Sequence, residues 1–597
     1  MYSIRQNQGD LRISLADDPV IRPPKSHKTK KVRCIYARTY TDWKGEPMPE
    51  QNQEKKKPGI IKRTFGWIWL GILVSLIFGA LVLDAPWKVI ALLLIILAAH
   101  TILPKAAIKW FWLSVAAIVV ILIIWVFLPD KNGGWQPYKY NFDEELTAIE
   151  AKYVIPDELN AATIYNKLLQ DYDEEAFYAN LPVEDWEKLP MREPWLSKEH
   201  PKIAEWIQQQ QNTIEKLLEA SKMERCLFRI TEPENFENQI NRNPAMRRWA
   251  FLLVSAVNND IAEDRVDEAL QKNLTLLQMG NHLFQQRTKA DLLVGMAIRA
   301  LALPELRRFI ITGAPEETHL RTVEEALENV KCDWGSDLIR ILESDKLSTK
   351  RWFARYYEIN PKGKIRLSRD PLAEIRANCR KALKNEKIYS TQLKDSYERI
   401  AYPSCFEKKL TKAYTILRWF YIPSNPQKSA SVIDAAYERY YAMANPDFDW
   451  QKEPRELPIT SRFKFRLNRY RTIELLASVS EEPYYRIHRI YLRQQMAIRA
   501  NWLIIALRRY KNQSGRWPEN LDEVKPLAPA EIFVDPVNGN SFVYKLADDS
   551  FKLYSKGENN IDEDGNRDQW VYKQMGADDW LIWPPRSQKP KTEESQK

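Results

Sequence analysis

Three long apolar segments dominate the pattern of hydrophobic and polar positions along the chain. Residues 65–83, 86–103 and 110–128 carry almost no charge, and each is about as long as a helix that crosses a lipid bilayer. Tryptophans lie near the ends of these segments, as they do at membrane interfaces. The pattern predicts three transmembrane helices over 65–128, and therefore a lipid bilayer as one partner of the protein.

A helical period of 3.6 residues begins after the segment 129–142, which contains a Gly-Gly pair and is interpreted as a linker. We expect packed helical hairpins over 143–483, because amphipathic segments alternate there with short charged turns. No 34-residue period aligns along this region, so the pattern predicts a loose helical domain rather than a tetratricopeptide array. The expected helices are 141–152, 160–169, a hairpin over 249–286 with its turn at 262–269, 289–311, 324–330 and 337–347.

The last hundred residues combine a long helix with the alternation typical of strands. An amphipathic helix is expected over 484–510, ended by Gly515 and Pro518. Apolar side chains then alternate over 542–546 and 551–555, which predicts a β-hairpin. The predicted fold class is therefore mainly α, with three transmembrane helices, a large extracytoplasmic helical domain over 143–483, a small α+β module with an antiparallel sheet over 484–583 and a disordered tail over 584–597.

The net charge of +10 is concentrated before the first apolar segment. Residues 1–64 hold 15 Lys and Arg against 7 Asp and Glu, so the rest of the chain is close to neutral. A basic surface for nucleic acid is therefore not expected. The Lys and Arg beside the first apolar segment instead predict, through the positive-inside bias, a largely disordered cytoplasmic tail over 1–64. The same bias predicts a multi-pass protein of the inner (cytoplasmic) membrane whose large C-terminal region is extracytoplasmic.

Four cysteines follow the apolar segments: Cys226, Cys332, Cys379 and Cys405. An oxidising compartment permits disulfides among them, with three pairings. No C-x-x-C spacing occurs, which argues against a thioredoxin-like or zinc-ribbon site. Cys379 and Cys405, separated by one expected helical hairpin, are the favoured pair.

Signals for catalysis are weak along the whole chain. It contains no G-x-S-x-G, H-E-x-x-H, Walker or dinucleotide-binding motif. His282 lies on an apolar helix face, so we expect a hydrogen-bonded core residue rather than a ligand. Adjacent carboxylates such as Glu316–Glu317 and Glu324–Glu325 are expected on solvated faces. The absence of these motifs favours a non-enzymatic protein over an enzyme and leaves the question open.

The C-terminal module resembles the C-terminal half of the major pseudopilins of type II secretion. The matching elements are a long helix, the motif G-R-W-P at 515–518, Asp535–Pro536, Gly539–Asn540, a tyrosine-containing strand, and L-Y-S-x-G at 553–557 followed by an acidic loop. They cover about 90 of the 597 residues. Pseudopilins carry an N-terminal leader before a polymerising helix, whereas this module follows a long chain. We therefore expect a pilin-like domain joined to another protein, as in the uncharacterised bacterial multi-pass membrane proteins that the whole chain resembles.

The acidic loop of this module contains a pattern of oxygen ligands. Four residues with oxygen-bearing side chains stand at alternating or near-alternating positions around Gly565: Asn560, Asp562, Asp564 and Asp568. Such spacing suits Ca²⁺, which binds hard oxygen ligands. Val571 stands where an EF-hand-like loop places a bidentate glutamate. The resemblance to pseudopilins also implies calcium in this region. A structural calcium site and a solvated polar loop are the two interpretations of the pattern.

These observations predict a membrane-anchored scaffold or adaptor of the bacterial cell envelope. A more specific form of this hypothesis associates the protein with secretion or with pili. Its expected partner is then a protein of the envelope or of a secretion system. The alternative is an envelope hydrolase or a glycan-binding protein whose site lies in the helical domain.

Overall fold

The computed structural model describes nineteen parts of the chain: residues 2–7, 10–15, 113, 117, 134–140, 142–173, 176–177, 180–183, 193–229, 233–313, 315–330, 332–368, 370–384, 397–404, 407, 425–450, 481–547, 549–566 and 577–585. The chain divides into two compact units, one of residues 1–6 and 12–117 and one of residues 7–11 and 118–597. At the N-terminus, strands β1 (Tyr2–Asn7) and β2 (Asp10–Leu15) form a two-stranded sheet.

The second unit is mainly helical, as the 3.6-residue period predicts. Its helices are α1 (Phe142–Ala151), α2 (Ala162–Asp171), α3 (Pro201–Gln209), α4 (Gln211–Ser221), α5 (Pro233–Ala262), α6 (Val266–Phe284), α7 (Lys289–Thr312), α8 (Glu317–Glu328), α9 (Trp334–Ala354), α10 (Ala373–Lys384), α11 (Pro426–Ala442) and α12 (Glu481–Ser514). Short 3₁₀ segments lie at Asp157–Leu159, Leu521–Leu527 and Ala530–Phe533.

Within the described parts of the chain, no helix combines the length and the apolar character needed to cross a membrane. The physical reason is visible in the long helix α12, which carries Arg486, Arg493 and Arg508 along its length. The finding contradicts the predicted transmembrane fold class, the multi-pass membrane character and the inner-membrane localisation, and the fold is corrected to helices with small antiparallel sheets. The three apolar segments, 65–83, 86–103 and 110–128, lie outside the described residues except for Leu113 and Ala117, which are helical.

The predicted hairpin over 249–286 is confirmed by α5 and α6. The two helices are separated by a short turn in which Asp264 adopts a left-handed φ of 60°. A second tight connection leads to α7, where the Thr288 side chain accepts a hydrogen bond from the Asp291 amide and caps the helix. Helix α7 then packs against α5, α6 and α12. These helices therefore form the centre of the core.

Glycines allow α6 and α7 to approach each other closely. A Cβ added at Gly295 would lie 2.7 Å from the Phe284 amide nitrogen and 2.9 Å from the Gly280 carbonyl oxygen. Both contacts are to backbone atoms, which cannot rotate away. The small size of these residues thus sets the distance between the two central helices.

A small sheet in the helical domain was not anticipated from the sequence. Strands β3 (Gln136–Pro137), β4 (Tyr357–Ile359) and β5 (Ile365–Leu367) pair antiparallel in the order β3-β4-β5. The tight turn between β4 and β5 places Gly363 at a φ of 74°. Packed helical hairpins were expected over 143–483. The prediction was wrong here because short strands and their turn carry too few residues for a clear period.

The predicted β-hairpin of the C-terminal module is confirmed. Strands β6 (Val543–Ala547) and β7 (Ser550–Ser555) pair antiparallel, with Ala547 opposite Ser550 at the turn. A third strand, β8 (Trp580–Trp583), adds to β7 and gives the order β6-β7-β8. Helix α12 ends before Gly515, whose φ is 77°, as the turn signal predicts.

Helix α12 also joins this module to the helical domain. The Gln494 side chain donates to the Met296 carbonyl oxygen in α7 at 3.0 Å. The Arg509 guanidinium binds both carboxylate oxygens of Glu324 at 2.8 and 2.7 Å, and its Nε donates to Glu317 at 3.1 Å. Two carboxylates that were expected on solvated faces therefore belong to a contact between α8 and α12.

Replacing Arg509 by alanine is expected to lower the free energy of unfolding by about 1–2 kcal/mol, because a bidentate charge-assisted pair in a partly exposed place is lost. Urea denaturation of the full-length chain measures the loss. Arg321→Ala is the matched control, since its single bond to Glu317 is long, at 3.4 Å, and exposed. Equal losses for the two variants would contradict a special role for Arg509.

Candidate functional site: an acidic cluster in the C-terminal module

The residues of the predicted calcium loop lie between β7 and β8. Asn560, Asp562 and Asp564 are exposed, and Asn560 and Asp564 adopt left-handed φ angles of 57° and 56°. Asp568 lies outside the described residues. The loop turns sharply as expected, and the predicted ligand set stays a prediction.

Protein groups already bind the two aspartates of this set. Asp562 Oδ1 accepts a hydrogen bond of 2.7 Å from the Tyr554 hydroxyl. Asp564 pairs with Lys545 at 2.9 Å and with Lys552 at 3.0 Å. These donors hold the pKa of each carboxyl below its usual value. Both carboxylates therefore have cationic or hydroxyl partners without a metal.

A different group of carboxylates comes together beside them. One oxygen atom from each of Glu563, Asp578 and Asp579 lies within 4.8 Å of the others. Glu563 comes from the acidic loop, whereas Asp578 and Asp579 directly precede β8. The cluster thus joins two segments that are 15 residues apart in the chain.

Backbone amides orient these carboxylates. Asp578 Oδ2 accepts from the Glu558 amide at 2.8 Å, and Asp579 Oδ2 accepts from the Glu563 and Gly565 amides at 2.9 and 2.7 Å. Glu563 Oε2 in turn accepts from the Asp578 amide at 2.9 Å. The acidic loop and the start of β8 are therefore held together through their acidic side chains.

Gly557 makes room for this arrangement. Its φ is 66°, and a Cβ at this position would lie 2.4 Å from Asp578 Oδ1. A side chain at residue 557 would displace the carboxylate. The glycine of the L-Y-S-x-G motif is thus required both by its backbone conformation and by its contact with the cluster.

The electrostatics of the cluster favour a compensating positive charge. Burial, with Glu563 nearby, raises the pKa of Asp579 to about 6. Burial likewise raises the pKa of Asp578, with Glu563 and Glu558 as further causes. Among the residues that the structure describes, no Lys or Arg forms an ion pair with Glu563 or Asp578, and Arg493, which pairs with Glu558, interacts with Asp578 only at longer range. Three oxygens of this kind match the ligands that Ca²⁺ prefers.

In the helical domain, the structure explains His282 as a core residue, as predicted. The ring is buried, with Nδ1 3.0 Å from the Tyr165 hydroxyl and Nε2 2.8 Å from the Met223 carbonyl oxygen. Burial lowers the pKa of His282 to about 4. A neutral imidazole whose two nitrogens both have hydrogen-bond partners stabilises the packing of the core.

The most strongly perturbed acid of the helical domain is Glu305. Burial raises the pKa of Glu305 to about 7, against the opposing effect of Arg308. Arg308 binds Glu305 and also donates to Asn258 Oδ1 at 2.9 Å. The buried position and these contacts indicate a structural network within the core.

Cys226, Cys332 and Cys379 are free thiols. The favoured Cys379–Cys405 disulfide is therefore wrong, and Cys405 itself lies outside the described residues. Burial raises the pKa of each of the three thiols, which makes them weak nucleophiles.

Sequence reasoning found the acidic loop and missed its partners. Asp578 and Asp579 form an Asp-Asp pair directly before the apolar run Trp580–Trp583. That pair was the available signal, and recognition of a third strand would have placed it beside the loop. Comparisons of the chain with protein-family models, with curated proteins and with solved structures found no match.

Proposed function

We propose that the chain is a non-enzymatic scaffold or adaptor whose C-terminal module, residues 484–583, is stabilised by a bound Ca²⁺ ion. The observation that carries this proposal is the convergence of Glu563, Asp578 and Asp579, with one oxygen from each within 4.8 Å of the others. Three converging carboxylates repel one another unless protons or a cation compensate their charge.

Calcium suits the cluster better than a transition metal. The ligands are carboxylates, which are hard oxygen donors, and no described histidine or cysteine belongs to the group. Glu563, Asp578 and Asp579 would hold the ion. Its role would be to neutralise the cluster and to fix the acidic loop against β8.

The arrangement of acids in the helical domain supports a scaffold rather than a hydrolase. Asp345 receives hydrogen bonds from the hydroxyls of Tyr437 and Tyr484 at 2.8 and 2.6 Å and pairs with Lys289 at 2.9 Å. These contacts fix its oxygens and link α7, α9, α11 and α12. An acid used in this way stabilises packing and is not available for proton transfer to a substrate.

The resemblance to pseudopilins bears on the partner. Such modules belong to assemblies in which proteins bind one another, so we propose a protein partner from a secretion or pilus system. Crosslinking of the tagged full-length chain in cells, with and without a calcium chelator, tests this idea. Partners recovered equally with a variant that lacks residues 516–583 but keeps helix α12 would contradict a role for the rest of the module.

Thermal melting of the full-length chain in Ca²⁺ and in chelator tests the metal. At 100 times its dissociation constant a ligand stabilises by about 2.7 kcal/mol, so we expect the melting temperature to rise by several degrees. Identical melting curves would contradict the proposal. Magnesium is expected to give a smaller shift, because it demands a stricter octahedral geometry.

Variants distinguish the cluster from the loop predicted by the sequence. Glu563→Gln combined with Asp578→Asn is expected to abolish the calcium shift, whereas Asp562→Asn with Asp564→Asn would abolish it only if the predicted loop holds the ion. Asp549→Asn, at an exposed acid of the same module, is the control and should leave the shift unchanged.

The stability of the chain is expected to depend on pH with opposite signs in the presence and in the absence of calcium. Since the pKa of Asp579 is raised to about 6, the folded chain without metal binds this proton more tightly than the unfolded chain. The stabilisation by this proton is complete below the ordinary pKa of aspartate and is lost as the pH rises through about 6. Calcium requires ionised carboxylates, so its melting shift should be larger at pH 7.5 than at pH 5.

A further inference from the structure

Arg287 lies in the short connection between α6 and α7 and is only 2% exposed. Its Nε, Nη1 and Nη2 atoms are all buried, and none has a hydrogen-bond partner. A guanidinium in this state has lost its hydrogen bonds to water without replacing them, which is costly. Burial accordingly lowers the pKa of Arg287.

Other deeply buried arginines of the helical domain have partners. Arg242 pairs with Asp291 at 2.7 Å, Arg299 donates to Asn281 Oδ1 at 2.7 Å, and Arg308 donates to Asn258 Oδ1 at 2.9 Å. The fold therefore supplies at least one acceptor for each of these three guanidinium groups. Arg287 differs from them because its acceptors are missing.

The side chains around Arg287 provide charge but no direct acceptor. The Tyr153 ring lies over the guanidinium, with Cζ 4.6 Å from the ring centroid. The nearby carboxylates of Glu150 and Glu343 favour the charged form without reaching ion-pair distance, while Arg340 opposes it. Glu343 is instead held by Lys152 at 2.9 Å and by the Tyr153 hydroxyl at 3.5 Å.

Two further features belong to the elements that flank this connection. The connection leads directly into the N-terminus of α7, which Thr288 caps and whose first turn holds Asp291, itself paired with Arg242. The Ser344 hydroxyl, in α9 next to Glu343, is also buried without a hydrogen-bond partner. Arg340 of the same helix donates to the carbonyl oxygens of Phe284 and Gln286, which ties α9 to this connection.

We propose that the connection between α6 and α7 is a binding site for a small oxyanion, a phosphate group or a carboxylate, with Arg287 as its principal ligand. The planar fork of the guanidinium binds two oxygens of either group through parallel N–H···O hydrogen bonds. This site is separate from the acidic cluster, and it does not depend on calcium.

Tyr153 and the pair between Lys152 and Glu343 cover the site. The Lys152 side chain is 56% exposed, and pairs at such exposed positions are weak. Admission of the anion to Arg287 therefore requires the Tyr153 ring to move off the guanidinium. Binding and displacement of Tyr153 are linked, because the ring and the anion compete for the same guanidinium.

Melting of the full-length chain in chelator, at constant ionic strength, tests the site with inorganic phosphate, with acetate and with chloride. Phosphate or acetate is expected to raise the melting temperature by about 2 °C or more in a saturable manner relative to chloride. The anion that saturates at the lower concentration identifies the preferred group. Equal melting in all three salts would overturn the proposal.

Variants localise the effect to Arg287. Arg287→Met is expected to remove the anion shift while its melting temperature in chloride stays equal or rises, because no unpaired donors remain buried. Arg321→Met, at an exposed arginine, should keep the full shift. An unchanged shift in Arg287→Met would overturn the site.

Tyr153→Ala provides a test that does not alter the guanidinium. It removes the cover, so phosphate should half-saturate its shift at a lower concentration than in the unaltered chain. Unchanged or weaker binding would overturn the role of Tyr153. Equilibrium dialysis with radiolabelled phosphate gives the same comparison without relying on melting.

Discussion

Replacing Asp291 by alanine is expected to lower the free energy of unfolding by about 3–5 kcal/mol. Asp291 and Arg242 form an ion pair at 2.7 Å with side chains that are only 2% and 4% exposed. Removal of the carboxylate leaves the Arg242 guanidinium buried beside the Phe228 ring without its charged partner. Chemical denaturation of the full-length chain measures the loss.

The double variant separates the unpaired charge from the loss of the contact. Arg242→Met combined with Asp291→Ala should lose much less than the sum of the losses for Arg242→Met and Asp291→Ala alone, because no uncompensated charge remains in the core. Lys216→Ala, at an exposed pair with Glu219 whose side chains are 49% and 51% exposed, should change stability by less than about 1 kcal/mol. Strictly additive single losses would contradict this account of the pair.

Replacing Gly295 by alanine should also destabilise the chain, by about 1–3 kcal/mol. In a helix without tertiary contacts the same change stabilises by about 1 kcal/mol, so the sign of the effect is diagnostic. The added methyl would lie within 3 Å of the Phe284 nitrogen and the Gly280 oxygen, and both belong to the backbone of α6. The helices would have to separate to accommodate it.

Thermal or urea unfolding of the Gly295→Ala variant gives the magnitude. Thr322→Ala, on the exposed face of α8, places an alanine in a helix without such contacts and should stay within about 0.5 kcal/mol of the unaltered chain. A stable Gly295→Ala variant would show that α6 and α7 can separate freely.

Two features of the core, the hairpin of α5 and α6 and the ion pair of Arg242 with Asp291, were predictable to different degrees. The hairpin of α5 and α6 follows from its periodicity and its charged turn, because both are local properties of the sequence. The pairing of Arg242 with Asp291 is not local, since 49 residues separate the two side chains. No periodic signal connects residues at that distance, so the position of the charge in the core could not be anticipated.

The C-terminal module shows the same division. Alternation and turn residues predicted β6 and β7 with the correct connection at 547–550. Strand β8 follows a gap of 24 residues and has only four residues, which is too short for its alternation to be recognised. Because Asp578 and Asp579 directly precede β8 and its pairing places them beside the acidic loop, missing the strand meant missing the cluster.

The apolar segments illustrate the limit of a pattern taken alone. Length and hydrophobicity predicted membrane helices over 65–128, and the described helices include none with that capacity. The long described helices α5, α6, α7 and α12 pack against one another.

The sequence by itself determined the helical character of most of the second unit, the main turns and the hairpin of β6 and β7, because these depend on neighbouring residues and on glycine at left-handed positions. Tertiary structure alone decided which charges meet. It placed Glu563 beside Asp578 and Asp579, and it buried Arg287 under Tyr153 without an acceptor. Such contacts depend on how helices and strands pack across long separations in the chain, and their energies arise from burial that no local pattern records.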